Sequence, residues 1–129
     1  MNHAKILIVE KDLTLARELQ ELLSEVGFSV QLANTVEAIL DVVGNHKFDL
    51  ILLDASFPEI SGVKVFQDIQ CSCPNSHTIL SFNSYSYDIK KIITELRVAA
   101  TIQKPFELES LLELFNNYSR TPIAQKSFI

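Results

Sequence analysis

Four kinds of side chain in this chain of 129 residues could do chemistry together. They are the carboxylate of Asp54, an acidic turn with Glu10 and Asp12 around Lys11, the hydroxyl of Ser81 and the ammonium of Lys104. A carboxylate among acids calls for a cation, and magnesium binds through one or two carboxylates plus phosphate oxygens. An aspartate can also be a nucleophile and carry an acyl phosphate. A hydroxyl and an ammonium facing it would then hold the phosphoryl oxygens. The added group brings close to two negative charges, which a local two-state element can sense. The plain readings stand beside these: Asp54 as a cap or loop-former, Ser81 as a strand residue, Lys104 as a surface lysine.

For these groups to meet, the chain must bring residues 94 positions apart to one place. Its apolar pattern supplies the means. Residues 4–9, 28–33, 50–53, 78–82 and 98–102 read as short strands, and 50–53 is apolar without alternation, as in a central parallel strand covered on both faces. Between them lie helical stripes. Leu15, Leu19, Leu22 and Val26 recur on one face, after Asp12 as N-cap and before Gly27 as C-terminal glycine. Thr35 caps a second helix with Val36, Ile39, Leu40 and Val43 inward, ending at Gly44-Asn45. A third helix over 62–70 turns Val63, Phe66 and Ile69 inward. The fourth carries Ile89, Ile92, Ile93 and Leu96, and the fifth, over 107–118, carries Leu108, Leu111, Leu112 and Phe115. Five strands alternating with five helices predict a single doubly wound parallel sheet of the α/β class with right-handed crossovers. All strand-to-helix loops then open on one edge, where ligands bind in such sheets. Glu10, Asp54, Ser81 and Lys104 all fall there.

Taken in order, these motifs resemble a receiver domain of the bacterial two-component response regulators over about residues 4–119. Ile6-Leu-Ile-Val-Glu10-Lys11-Asp12 resembles the first strand and acidic turn of that family. Asp54-x-x-Phe57-Pro58-x-Ile60-x-Gly62 resembles its phosphoacceptor loop. Lys104-Pro105-Phe106 resembles its lysine-proline signature, whose peptide bond is usually cis, and Lys104 follows Asp54 by 50 residues, a spacing that suits the family. The resemblance implies a flavodoxin-like receiver fold with strand order 2-1-3-4-5. It implies Asp54 as phosphoacceptor, Lys104 as the group gripping the phosphoryl and Ser81 as the hydroxyl that moves to it. It implies Mg²⁺ held by Glu10, Asp54 and the Ser56 backbone carbonyl. It also implies a sensor histidine kinase or phosphotransfer protein as donor, and a downstream protein target engaged through the helix 4, strand 5, helix 5 face. No conventional enzyme is implied, at most self-phosphorylation and autodephosphorylation at Asp54.

Three departures bear on mechanism. The second acid of the usual pair is Lys11. If its ammonium points inward, two carboxylates and two ammoniums cancel and the drive for Mg²⁺ is largely gone. If it swings out to water, Asp12 is left to substitute as a ligand, although Asp12 is also the natural helix cap. After the switch hydroxyl stands Phe82, which either lids the pocket or turns aside to join Tyr85 against helix 4. The usual switch aromatic is Thr101, too small to turn inward, so Phe82, Tyr85 or Tyr87 would have to carry any switch. The expected cofactor is therefore Mg²⁺, bound weakly or not at all. The alternative function is a pseudo-receiver, a protein-interaction module that works without phosphorylation.

Composition narrows the classes further. The chain is 47% hydrophobic, too rich for disorder and enough for one core. No apolar run reaches the roughly 18 residues of a membrane span, and nothing resembles a signal peptide, so a cytoplasmic protein is expected. A formal charge of −5 without a basic run argues against direct nucleic-acid binding by this domain. Cys71 and Cys73 are too close to bridge each other and, with His77 alone nearby, too few for a metal site; free thiols in a loop are expected. Lys90, Lys91, Arg97, Glu107 and Glu109 are either cross-subunit ion pairs of a homodimer through the helix 4, strand 5, helix 5 face or a solvated face. Residues 1–120 are expected to form the receiver domain and 121–129 a tail or linker start.

Overall fold

The computed structural model describes residues 4–57 and 64–118. Strands β1 (Lys5–Val9), β2 (Ser29–Ala33), β3 (Leu50–Asp54), β4 (His77–Phe82) and β5 (Val98–Gln103) form one parallel sheet. Their order is β2-β1-β3-β4-β5. Helices α1 (Leu13–Val26), α2 (Val36–Asn45), α3 (Lys64–Ser72), α4 (Tyr87–Glu95) and α5 (Leu108–Tyr118) alternate with them. Every residue of β3 is buried, which is why its sequence carries no polar alternation. Because successive side chains of a strand point to opposite faces, the core divides in two. Leu7, Val9, Ile51, Leu53 and Leu80 pack under α2, α3 and α4. Ile6, Ile8, Leu50, Leu52, Ile79 and Ile102 pack under α1 and α5.

The helix ends follow local chemistry. The Asp12 carboxylate accepts the amides of Thr14 and Leu15 at the start of α1, and Gly27 closes it in the left-handed region at φ 112°. Thr35 accepts the Ala38 amide at α2. Ser86 does the same for Ile89 at α4, a cap the sequence reading passed over.

Two inward stripes are corrected. In α1 the buried face is Ala16, Leu19 and Leu23, and Leu22 is 41% exposed. In α2 Val42 is buried and Leu40 is 46% exposed. Both runs hold adjacent apolar residues, Leu22-Leu23 and Leu40 near Val42-Val43, so periodicity alone admits two neighbouring faces. Helix 3 extends to Ser72, placing Cys71 at its end rather than in a loop; Cys71 is an exposed thiol and Cys73 a buried one. The expected start of that helix at Gly62-Val63 and the tail at 121–129 lie outside the described residues.

One irregularity sets the site. Between β4 and β5 the register steps: Thr78 pairs with Val98, but Ile79 with Ala100. Ala99 is the extra residue of a bulge. A one-residue slip exchanges the faces of a strand, so the bulge puts Ile102, not Thr101, beside Ser81. Lys104, two residues on, then follows the Ser81 side of the sheet.

Leu23→Ala should cost about 2–5 kcal/mol in urea unfolding by opening a cavity, whereas Leu22→Ala should cost well under that.

Candidate functional site

The C-terminal ends of β1, β3, β4 and β5 bring Glu10, Asp54, Ser81 and Lys104 onto one rim. Val9 pairs with Leu53, so Glu10 emerges beside Asp54. Asp54 pairs with Ser81. The peptide bond between Lys104 and Pro105 is cis, and the Lys104 amide donates to the Phe82 carbonyl at 2.7 Å. Glu10, Asp54 and Ser81 are all buried.

Lys104 ties the acids together. Its Nζ lies 2.6 Å from Glu10 Oε1 and 3.4 Å from Asp54 Oδ2, with the side chain only 13% exposed. Glu10 Oε2 accepts the Asp12 amide at 3.0 Å. Asp54 Oδ1 accepts both the amide and the hydroxyl of Ser56, at 3.0 Å and 2.8 Å. The Ser81 hydroxyl donates to the Leu53 carbonyl at 3.2 Å and not to a carboxylate.

Burial pushes the Glu10 carboxyl above its ordinary value; Lys104 and the Asp12 amide pull it down, and the neighbouring Asp54 raises it again. Burial works on Asp54 in the same sense, but there the Ser56 hydroxyl and amide, with Glu10 and Lys104, win and hold its carboxyl below the ordinary value. The two residues therefore contribute to stability with opposite signs. Glu10's contribution is complete below its unfolded value and is lost as pH rises through its raised one. Asp54's is present above its unfolded value and is lost as pH falls through its lowered one.

Of the two orientations open to Lys11, the structure has the outward one. Lys11 is exposed, and no ion pair joins it to Asp54; Lys104 takes that place. The pocket of two carboxylates and one ammonium keeps one net negative charge. Asp12 is exposed and its Oδ1 is committed to the α1 cap. Phe82 does not lid the acids. It is buried on the opposite face of the sheet, in the cluster with Ile89, and meets the Tyr85 ring edge-on at 6.2 Å between centroids. Thr101 is exposed opposite Leu80, away from the site.

The resemblance offered the Ser56 backbone carbonyl and missed the Ser56 side chain. The signal was present, because an Asp followed two residues later by an amide and a hydroxyl is a local turn-forming pair. Beside Lys104, a cavity of about 390 Å³ opens between α1 and the β5–α5 loop, lined in part by Leu15, Leu19, Pro105, Phe106 and Leu108; no short motif announces it.

Comparison with known proteins gives the family and the fold. Residues 6–116 match the model of the response regulator receiver domain. The chain belongs to that family. It is 32% identical over 109 residues to the transcriptional regulatory protein DltR of Streptococcus agalactiae, covering 84% of this chain and 48% of the relative. It is 34% identical over 108 residues to the response regulator ArlR of Staphylococcus haemolyticus, covering 82% and 48%. The chain thus spans about half the length of these curated relatives. Among solved structures, a receiver domain protein described as CheY-like from Methanospirillum hungatei superposes with a TM-score of 0.82 at 24% identity, over 90% of this chain and 93% of that one. A Burkholderia pseudomallei response regulator, described with a phosphorylated aspartic acid, calcium ion and citrate, gives 0.77 at 18% identity, over 97% and 71%. These structural likenesses show the fold. Among the described residues no helix is long and apolar enough to cross a membrane.

Replacing Asp54 with Asn removes a like charge beside Glu10. Glu10 should then titrate at a lower pH than in the unaltered protein, read from its side-chain carboxyl ¹³C shift.

Proposed function

We propose that this receiver accepts a phosphoryl group on Asp54 from a sensor histidine kinase or a phosphotransfer protein. The observation that supports this best is the Lys104 ammonium held between Glu10 and Asp54, with its Nζ 3.4 Å from Asp54 Oδ2. In the transfer, a lone pair of the Asp54 carboxylate forms the new oxygen–phosphorus bond. The bond from phosphorus to the donor nitrogen breaks, and its electron pair leaves with the imidazole. Lys104 faces the charge that arrives on the phosphoryl oxygens. Ser81 lies one strand away, opposite Asp54, and trades the Leu53 carbonyl for a phosphoryl oxygen. Released from Leu53, that hydroxyl biases the end of β4, where Phe82 and Tyr85 form a ring pair next to α4. This pair, rather than the exposed Thr101, carries the change to the α4–β5–α5 face and a downstream protein. Exposed Tyr85 and Tyr87 make that face available to a partner or a second copy.

The family generally uses Mg²⁺, and the residues here fit that ion poorly. Both oxygens of Glu10 and both of Asp54 already have protein partners, Asp12 serves the α1 cap, and Lys11 stands where a second acid is usual. Among the described residues no three acids, histidines or cysteines gather as a metal site. This same observation favours a second reading, a pseudo-receiver that binds its partner without phosphorylation. Both readings place the molecule in the cytoplasm beside its kinase or target. The naming of DltR as a transcriptional regulatory protein makes a DNA-bound output a natural setting.

Acetyl phosphate should add one phosphoryl mass to the intact protein, and Asp54→Ala should lose it. An unlabelled protein with and without Mg²⁺ would favour the pseudo-receiver; a label surviving in the variant would move the acceptor elsewhere. Lys11→Asp should restore a ligand and bind Mg²⁺ about tenfold tighter, the scale of one added charged contact, followed by amide NMR shifts near residue 54.

A further inference from the structure

The two oxygens of Asp54 have different partners. Oδ2 faces the Lys104 ammonium at 3.4 Å. Oδ1 is held by two donors of one residue, the Ser56 amide at 3.0 Å and the Ser56 hydroxyl at 2.8 Å. A hydroxyl in this position points its proton at the lone pair that a cation on the same oxygen would use. The amide is fixed by the backbone turn after β3, and an amide can share a carboxylate oxygen with another partner because that oxygen has a second acceptor direction. The hydroxyl can rotate, so it is the removable part of the clamp.

We propose that the Ser56 hydroxyl is a built-in competitor for Asp54 Oδ1 that keeps divalent cations out of the site until it turns away. The proposal rests on reading Asp54 as the phosphoryl and cation site. It differs from the effect of Lys11, which removes a ligand; Ser56 instead occupies one that is present. Ser56 is itself exposed, so its side chain has water to turn to, and its loss leaves no cavity in the core. With the hydroxyl turned out, Oδ1 keeps only the amide, and the cost of cation entry falls by one hydrogen bond to a charged group. Ser56 is thus a positioning residue, acting on the cation through Asp54.

The test is a titration of the full chain with Mg²⁺ alone, followed by amide shifts of residues 53–57. Ser56→Ala should bind about tenfold tighter than the unaltered protein, the scale of one hydrogen bond to a charged acceptor. Ser56→Thr keeps the hydroxyl at an exposed position, so it should match the unaltered affinity within about twofold, a small fraction of that same hydrogen bond. Equal affinity in Ser56→Ala and the unaltered protein overturns the proposal. So does a Ser56→Thr protein that tightens as much as Ser56→Ala, because the hydroxyl would then not be the cause. Asp54→Asn should abolish the shift; a shift that persists places the ion elsewhere and also overturns it. Phosphoryl labelling by acetyl phosphate is read separately by intact mass, so failure of the phosphoacceptor reading is distinguishable from failure of this one.

Discussion

The site depends on one partly buried ammonium placed between two buried carboxylates. Two like charges side by side in a low-dielectric rim repel strongly, and each pays to leave water. Lys104 offsets both costs at once, at 2.6 Å from Glu10 and 3.4 Å from Asp54. Removing one member of such a group leaves an uncompensated buried charge, which is far costlier than never having had the pair. The arrangement therefore constrains everything that enters. An incoming cation must displace or share with Lys104, whereas an incoming phosphoryl group finds a positive charge already in place.

The rest of the sheet serves that placement. A parallel order of β2-β1-β3-β4-β5 puts Glu10 and Asp54 on adjacent central strands. The bulge at Ala99 decides whether the chain leaving β5 comes out on the acid side or the α4 side. Below the rim, two apolar layers with fully buried Leu50, Ile51 and Leu53 hold the strands rigidly. Rigid elements keep a polar site in register better than loops do. Of the departures from the family pattern, Lys11 and Thr101 are exposed, whereas Phe82 is buried in the core layer under α4.

Those departures also redistribute work. Lys11 is exposed and stays out of the pocket, so its ammonium is not a partner of either carboxylate. Phe82 joins Tyr85 on the far face of the sheet from Ser81. Thr101 is a small exposed residue opposite Leu80.

Much was legible in the sequence because it is local or periodic. The five β/α units, the caps at Asp12 and Thr35, the closing Gly27 and the set of Glu10, Asp54, Ser81 and Lys104 all follow from spacing, propensity and motif. Where two neighbouring residues were both apolar, as at Leu22-Leu23, the pattern could not choose, and packing did. The bulge at Ala99, the outward turn of Lys11 and the pairing of each carboxylate oxygen with its own donor came only from the tertiary structure. They depend on strand register and on competition between charges far apart in the chain. One sequence order states which groups are present, but only the folded sheet sets the ångström-scale distances that decide which of them meet.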